Sequence, residues 1–318
     1  MKNNLTVSVV LATYNGEEFL AEQIDSILNQ SVLPDEIIFV DDCSKDTTLS
    51  IIYDFKKIMT IKGIDCKVIQ NNKNIGYIEN FFNGISIASK DLIFLSDQDD
   101  LWKETKIERN IQIFKENIDI LALHGNANVI DQNGSVIKFN QQEYKKRIEK
   151  IELNEFIKKV NYPGMSLVFR NGNFKKKLME SKKDIVLNTH DWFICLLASL
   201  NGGFYISNEV LTLRRFTGRN VALDLDSQGD NSMQSRLEGI HLYSAYYEIL
   251  QKVIVKNNYS DEIGLIKYIK NINKRKEYLE KASIMEYVLN ITNINYYPSK
   301  KSYIKDGIVL IKYKFLQK

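Results

Sequence analysis

Residues 7–42 read VSVVLATYNGEEFLAEQIDSILNQSVLPDEIIFVDD, and the succession of residue types in this stretch decides the fold. Val7 to Leu11 is an apolar run too short for a helix and reads as a buried strand. Ala12 to Gly16 is a polar turn. From Glu17 to Asn29, apolar Phe19, Leu20, Ile24, Ile27 and Leu28 recur at helical spacing, and Glu36 to Val40 is a second apolar, β-branched run. Strand, helix and strand joined by short turns make a β-α-β unit, whose two strands lie parallel.

The unit repeats outward from there. Asp46 to Met59 is a second helix, with capping groups in its Asp-Thr-Thr start. Cys66 to Ile69 is a third strand, Ile78 to Ala88 a third helix and Asp91 to Leu95 a fourth strand. Such repetition predicts an α/β fold with a mostly parallel, Rossmann-like sheet covered by helices on both faces. Beyond it, Lys103 to Glu116 is predicted helical, Ile120–Ile130 and Val136–Phe139 form a hairpin, and Met165–Phe169 is a strand. Asp191 to Leu200 is an apolar helix, with strands near Phe204–Ile206 and Val210–Arg214. From about residue 228 only helical periodicity remains, so an α/β domain is expected at 1–225 and a basic helical extension at 226–318.

Composition sets the class. The chain has 318 residues, 44% hydrophobic and 26% charged, with a net charge of +3, an ordinary globular balance that excludes collagen-like and wholly disordered readings. Three dispersed cysteines, Cys43, Cys66 and Cys195, suggest neither a disulfide framework nor a zinc site and fit a reducing cytoplasm. No apolar run reaches bilayer-spanning length, and Leu5 to Ala12 is too short for a signal peptide. Residues 251–318 carry 14 Lys+Arg against 6 Asp+Glu. This basic tail could rest peripherally on anionic lipid at the inner face of the cell membrane, or be a solvated helical appendage. No nucleic-acid partner is expected.

In a parallel sheet, ligands bind beyond the carboxyl ends of the strands. The polar loops there are Ala12–Gly16, Asp41–Ser44, Asn71–Gly76 and Ser96–Trp102. The last, Ser96-Asp97-Gln98-Asp99-Asp100-Leu101-Trp102, places three carboxylates within four residues after an apolar strand. Carboxylates so crowded cost stability unless a cation neutralises them, and a divalent ion shared with substrate phosphates does so. A helix cap would explain Asp99 or Asp100 but not all three. Asp42 could accept the imide N–H of a pyrimidine base beside Thr13 and Tyr14, or serve as a loop residue ahead of the Asp46 helix. Neither G-x-G-x-x-G after the first strand nor G-x-x-x-x-G-K-[ST] occurs, which removes the main support for hydride transfer and for a P-loop ATPase.

Taken jointly, Val9–Gly16, Val40–Thr48, Asn74-Ile75-Gly76, Asp97–Trp102 and His190-Asp191-Trp192 resemble the motifs of family 2 glycosyltransferases of the GT-A fold, over about residues 5–225. The pattern is similar to bacterial rhamnosyltransferases of cell-wall and capsular polysaccharide assembly. This resemblance implies an inverting, metal-dependent glycosyltransferase that uses Mg²⁺ or Mn²⁺. The donor would be a nucleoside diphosphate sugar, dTDP-rhamnose or else a UDP-hexose or UDP-N-acetylhexosamine, and the acceptor a lipid-linked saccharide.

By the same resemblance, Thr13 and Asp42 would contact the base, with Tyr14, Asn15 and Glu17 nearby, and Asn74, Gly76 and Asn80 would line the nucleotide cleft. Asp97 and Asp99 would form the DxD pair, Asp99 as direct metal ligand and Asp97 on the ribose or the metal shell. Asp191 would be the catalytic base, unless it only caps its helix; Trp192 follows it, and His190 could orient it or be structural. Pro163-Gly164-Met165 would border the acceptor. The family's histidine near the end of this domain is missing from Leu213–Asn220, where Arg214, Arg215 and Arg219 could instead hold the diphosphate or form an exposed basic loop. Two rivals from other classes are a glycoside hydrolase, which needs a carboxylate pair but no nucleotide pocket, and a non-catalytic sugar-binding protein.

Overall fold

The computed structural model describes residues 5–218, 232–259 and 264–316, and the chain divides into two compact units. The larger unit holds the described residues up to 151, 162–183 and 189–218; the smaller holds 152–161, 184–188 and the described residues from 232 onward.

The larger unit begins with the expected alternation: β1 (Val7–Thr13), α1 (Leu20–Leu28), β2 (Glu36–Asp41), α2 (Thr48–Ile61), β3 (Asp65–Gln70), α3 (Tyr77–Ile87) and β4 (Leu92–Ser96). These strands pair in parallel in the order β3-β2-β1-β4. β2 and β4 are buried along their whole lengths, and Val9, Val10 and Leu11 of β1 are fully buried, which is why they read as continuous apolar runs. One face packs Val9, Leu11, Phe39 and Phe94 against Leu20, Ile24 and Ile27 of α1 and Ile52 of α2. On the other, α3 lies flat on the sheet at Gly84, where a Cβ would stand 2.4 Å from a methyl of Val10.

The second half is mixed. β5 (Leu101–Trp102), α4 (Lys106–Glu116), β6 (Ala122–Ile130), β7 (Val136–Lys138) and β8 (Ile148–Lys150) are followed by α5 (Leu153–Phe156), which belongs to the smaller unit. A 3-10 turn at Gly164–Ser166 then leads into β9 (Leu167–Arg170), α6 (Asn173–Lys182), α7 (His190–Leu200) and β10 (Phe204–Arg215). β9 joins β4 and β6 antiparallel, β10 runs parallel to β6, and β5 closes the far edge. Two expectations change here. The strand placed at Met165 begins at Leu167 after the 3-10 turn, and the two strands placed within 204–214 are one long strand whose pairing with β6 shifts register between Ile206 and Thr212.

The smaller unit is helical: α8 (Met233–Lys256), α9 (Leu265–Glu280), α10 (Ile284–Leu289), a 3-10 segment at Asn290–Tyr296 and α11 (Lys300–Leu316). Two pieces from the middle of the chain belong to it, and Tyr243 Oη donates to the carbonyl of Lys158 at 2.8 Å. Its interior is built on Asp306, fully buried and paired with Arg236 and with Arg275 Nε at 3.0 Å. Tyr278 Oη also donates to Asp306, at 2.5 Å. Among the described residues no helix is long and apolar enough to cross a membrane.

Candidate active site

The loops at the carboxyl ends of β1 and β2 are laced together by hydrogen bonds. Asn15 and Cys43 both adopt left-handed backbone, with φ of 46° and 66°. Asn15 N donates to Ser44 Oγ at 2.9 Å, Lys45 N to Asn15 Oδ1 at 2.8 Å, and Thr47 N to Glu17 Oε2 at 3.0 Å. Asp41, fully buried, accepts from Thr13 Oγ1 at 3.0 Å and from Ser44 N at 2.9 Å. Asn15 and Glu17 thus brace the loops after β1 and β2, Thr13 spends its hydroxyl proton on Asp41, and Tyr14 is half exposed beside them.

Asp42 stands beneath the next loop. Its carboxylate accepts from Ile75 N and Gly76 N, both at 2.8 Å, and from Asn71 Nδ2 at 2.9 Å. Gly76 has φ 86°, a conformation that favours glycine. Asn74 Oδ1 accepts from Gly76 N at 3.1 Å, while Asn80 receives Asn71 Nδ2 at 2.9 Å and donates to the Val40 carbonyl at 2.7 Å. The carboxylate of Asp42 therefore shapes the Asn71–Gly76 loop.

The third loop carries the acids. Gln98 pairs with the backbone of Tyr14 in both directions, accepting from N at 2.8 Å and donating to O at 3.1 Å, and a Cβ on Gly16 would collide with its amide. Asp97 and Asp99 flank it. Burial raises the carboxyl of Asp97 above its usual range and Arg214 and His190 draw it back, while Asp191 adds to the rise. Asp99 is pushed up to about 6, by burial first and then by Asp97. Helix capping explains neither Asp99 nor Asp100, because α4 starts later, at Lys106 after Thr105. Asp100 is instead buried and accepts from Arg215 N at 2.9 Å through one oxygen, its other oxygen having no hydrogen-bond partner.

Asp191 reaches the same place from the far side. Thr189 occupies the N-cap of α7, so Asp191 lies in the first turn, where Oδ1 accepts from Trp192 N at 2.7 Å. Trp192 is buried core. His190 is buried and stacked on Phe81, with ring centroids 4.1 Å apart, and neither ring nitrogen has a hydrogen-bond partner, so it does not orient Asp191 through a hydrogen bond. Burial pushes its imidazole below the usual value. A Cβ on Gly164 would stand 2.9 Å from His190 Nε2 and 3.5 Å from Asp191 Cβ, so the Gly164–Met165 corner lies against the proposed base.

The two described arginines of β10 divide. Arg215 is buried and its guanidinium donates to the carbonyls of Asp99 at 3.0 Å and Gln132 at 2.6 Å and to Glu22 at 2.7 Å, over the ring of Phe19. It fastens the acidic loop, which corrects its assignment to the diphosphate. Arg214 is buried, is felt electrostatically by Asp97, Asp99 and Asp100, and leaves Nη1 without a hydrogen-bond partner. Arg214 therefore brings a buried positive charge, with one donor unspent, to the place that the three acids border. Arg219 lies outside the described residues.

Two residues of the site, Lys106 and Tyr77, were not expected from the sequence. Lys106 is buried, donates to the Met165 carbonyl at 2.8 Å and to Thr212 Oγ1 at 2.9 Å, and stands 4.0 Å over the Trp102 ring. Burial brings its ammonium down to about 7, while Asp100 and Asp97 oppose this. Tyr77 meets the ring of His190 edge-on and is close enough to Asp191 to be affected by its charge.

The crowded carboxylates of Asp97 and Asp99 fit a hard divalent cation. Oxygen ligands from one or two carboxylates, completed by phosphate and water, are what Mg²⁺ or Mn²⁺ takes at a nucleotide site. Among the described residues no group of three or more His, Cys, Asp or Glu side chains is arranged to hold a metal by itself.

The model of the family described as Glycosyl transferase family 2 matches residues 8–176. The chain is 31% identical over 220 residues to the dTDP-rhamnosyl transferase RfbG of Shigella flexneri, covering 64% of this chain and 71% of that protein. It is 30% identical over 244 residues to an uncharacterized glycosyltransferase of Methanocaldococcus jannaschii, covering 76% and 77%. Among solved structures, residues 1–349 of S. aureus TarS in complex with UDP-GlcNAc superpose with a TM-score of 0.58 at 17% identity, covering 98% of this chain and 92% of that one.

Proposed function

The chain belongs to glycosyl transferase family 2 and is a glycosyltransferase; on that premise we propose that it transfers L-rhamnose from dTDP-rhamnose, with inversion, to a hydroxyl of a growing, lipid-linked surface polysaccharide. Family membership sets aside the hydrolase and the non-catalytic reading. The donor follows the name of the Shigella relative, most of whose length the chain covers.

One observation carries the mechanism: Asp97, just after β4, feels the charge of Asp191 at the start of α7, and Asp99 feels that of Asp97. Asp99, with Asp97 beside it, would hold Mg²⁺ or Mn²⁺, which as a Lewis acid stabilises the diphosphate leaving group. Arg214 supplies a second positive charge there. The braced loops at Asn15 and Asp42 position the nucleotide. Asp191 accepts the proton of the acceptor hydroxyl as it attacks the anomeric carbon, and the Gly164–Met165 corner, tied down by Lys106, seats that acceptor. A proton acceptor so placed contributes about 10²- to 10⁴-fold.

The test is transfer from a panel of dTDP-, UDP- and GDP-sugars, with Mn²⁺, to a lipid-linked saccharide. Turnover with dTDP-rhamnose above the others is expected. Turnover confined to a UDP-sugar would overturn the donor and leave the reaction class standing.

A further inference from the structure

α11 is apolar on two opposite sides. Tyr303, Val309 and Leu310 turn inward and are buried, while Ile304, Ile308, Ile311 and Phe315 face outward, 57%, 42%, 54% and 64% exposed. At 3.6 residues per turn these four fall within an arc of about 60°. Exposed Lys305 and Lys312 line one edge of that arc, and exposed Lys300 and Lys314 the other. The helix has one carboxylate, Asp306, which is buried and paired with Arg236 and Arg275. Beside it, α10 exposes Met285 and Leu289. The two elements are locked by the Tyr287 ring stacked on Tyr303 at 4.5 Å, and by Gly307, where a Cβ would stand 2.5 Å from Tyr287 Oη.

We propose that this face of α11 lies in the plane of an anionic lipid surface, its isoleucine–phenylalanine stripe sunk below the headgroups and its lysines on their phosphates. An apolar stripe edged on both sides by lysine is the pattern of an interfacial helix. A second copy of the chain fits less well: a two-fold contact along α11 would set lysine rows against each other with no exposed carboxylate on the helix to answer them. Anionic headgroups answer both rows. The proposal goes beyond the transfer reaction and does not depend on it, since vesicle binding is measured without any sugar.

The full chain is floated with vesicles of phosphatidylcholine alone and of phosphatidylcholine with phosphatidylglycerol. Binding is expected to the anionic vesicles only and to weaken with salt; Ile308→Ser with Ile311→Ser lowers it by at least about tenfold, and Lys305→Glu with Lys312→Glu does the same. Melting curves check that each variant is folded. Ile308→Trp keeps an apolar side chain and gives an independent reading, a blue shift of emission on anionic vesicles. The proposal is overturned if the wild-type chain fails to float with anionic vesicles, if the serine variant floats equally well, or if the tryptophan emission does not move. A dimer abolished by the serine substitutions, without vesicle binding, would assign the face to a second copy instead.

Discussion

Replacing Asp191 by Asn keeps an oxygen for the amide of Trp192 and removes the proton acceptor. The expected result is a fall of about 10²- to 10⁴-fold in kcat with donor binding unchanged, measured by initial rates beside calorimetric titration of the donor. The two arginines of β10 should separate in the opposite sense. Arg215→Met strands the carbonyls of Asp99 and Gln132 and is expected to cost about 2–4 kcal/mol of stability, seen as a lower denaturation midpoint. Arg214→Met removes a buried donor that lacks a partner at Nη1, so the fold should hold while donor affinity drops about tenfold or more. Adjacent strand residues face opposite sides of a sheet, and the sequence alone does not reveal which of two neighbouring arginines turns to the acids. Asp97 and Asp99 stood out in the sequence as carboxylates crowded behind an apolar strand, whereas Asp191 was singled out by the family resemblance and not by its pattern. Lys106 did not stand out, because what gives it meaning, Met165 and Thr212, lies 59 and 106 positions away.

Among the elements, β2 carries a buried carboxyl, that of Glu36, whose shift bears on stability. Glu36 is fully buried at its start; burial alone would raise its carboxyl, but hydrogen bonds from Lys67, Ser8 and Ser89 outweigh this and hold it down to about 2. A carboxyl depressed in the folded state adds stability that is present above its unfolded value of about 4.5 and is lost as pH falls from there towards 2. Glu36→Gln should flatten the decline of the melting temperature across that window and lower the melting temperature at neutral pH, as thermal scans at stepped pH would show. The β-α alternation as far as β4 was legible because buried parallel strands announce themselves as apolar runs. Less of the rest was. β5 has only two residues, β10 looked like two strands because its register shift interrupts the apolar pattern, and α11 shows no single apolar face because its inward and outward rows oppose one another.

Across the whole molecule, separate pieces of chain converge on one place. The loops after β1 and β4, the start of α3, the corner at Gly164, the start of α7 and the end of β10 border the acids, and the loop after β2 is laced to the one after β1. Such convergence is what a parallel sheet offers at its carboxyl edge, and it was readable in advance because the loops themselves are polar. What was not readable is how the loops are fastened, through Asp41, Asp42, Gln98 and Arg215, since those bonds join residues far apart in the chain. The central claim is that Asp97 and Asp99 grip a cation that holds the donor diphosphate. Calorimetric titration of dTDP and UDP into the chain, with and without Mn²⁺, and into Asp99→Asn, tests it most directly. Binding of a nucleotide that requires Mn²⁺ and is lost in Asp99→Asn is the predicted result; equal binding without the metal, or in the variant, would contradict it.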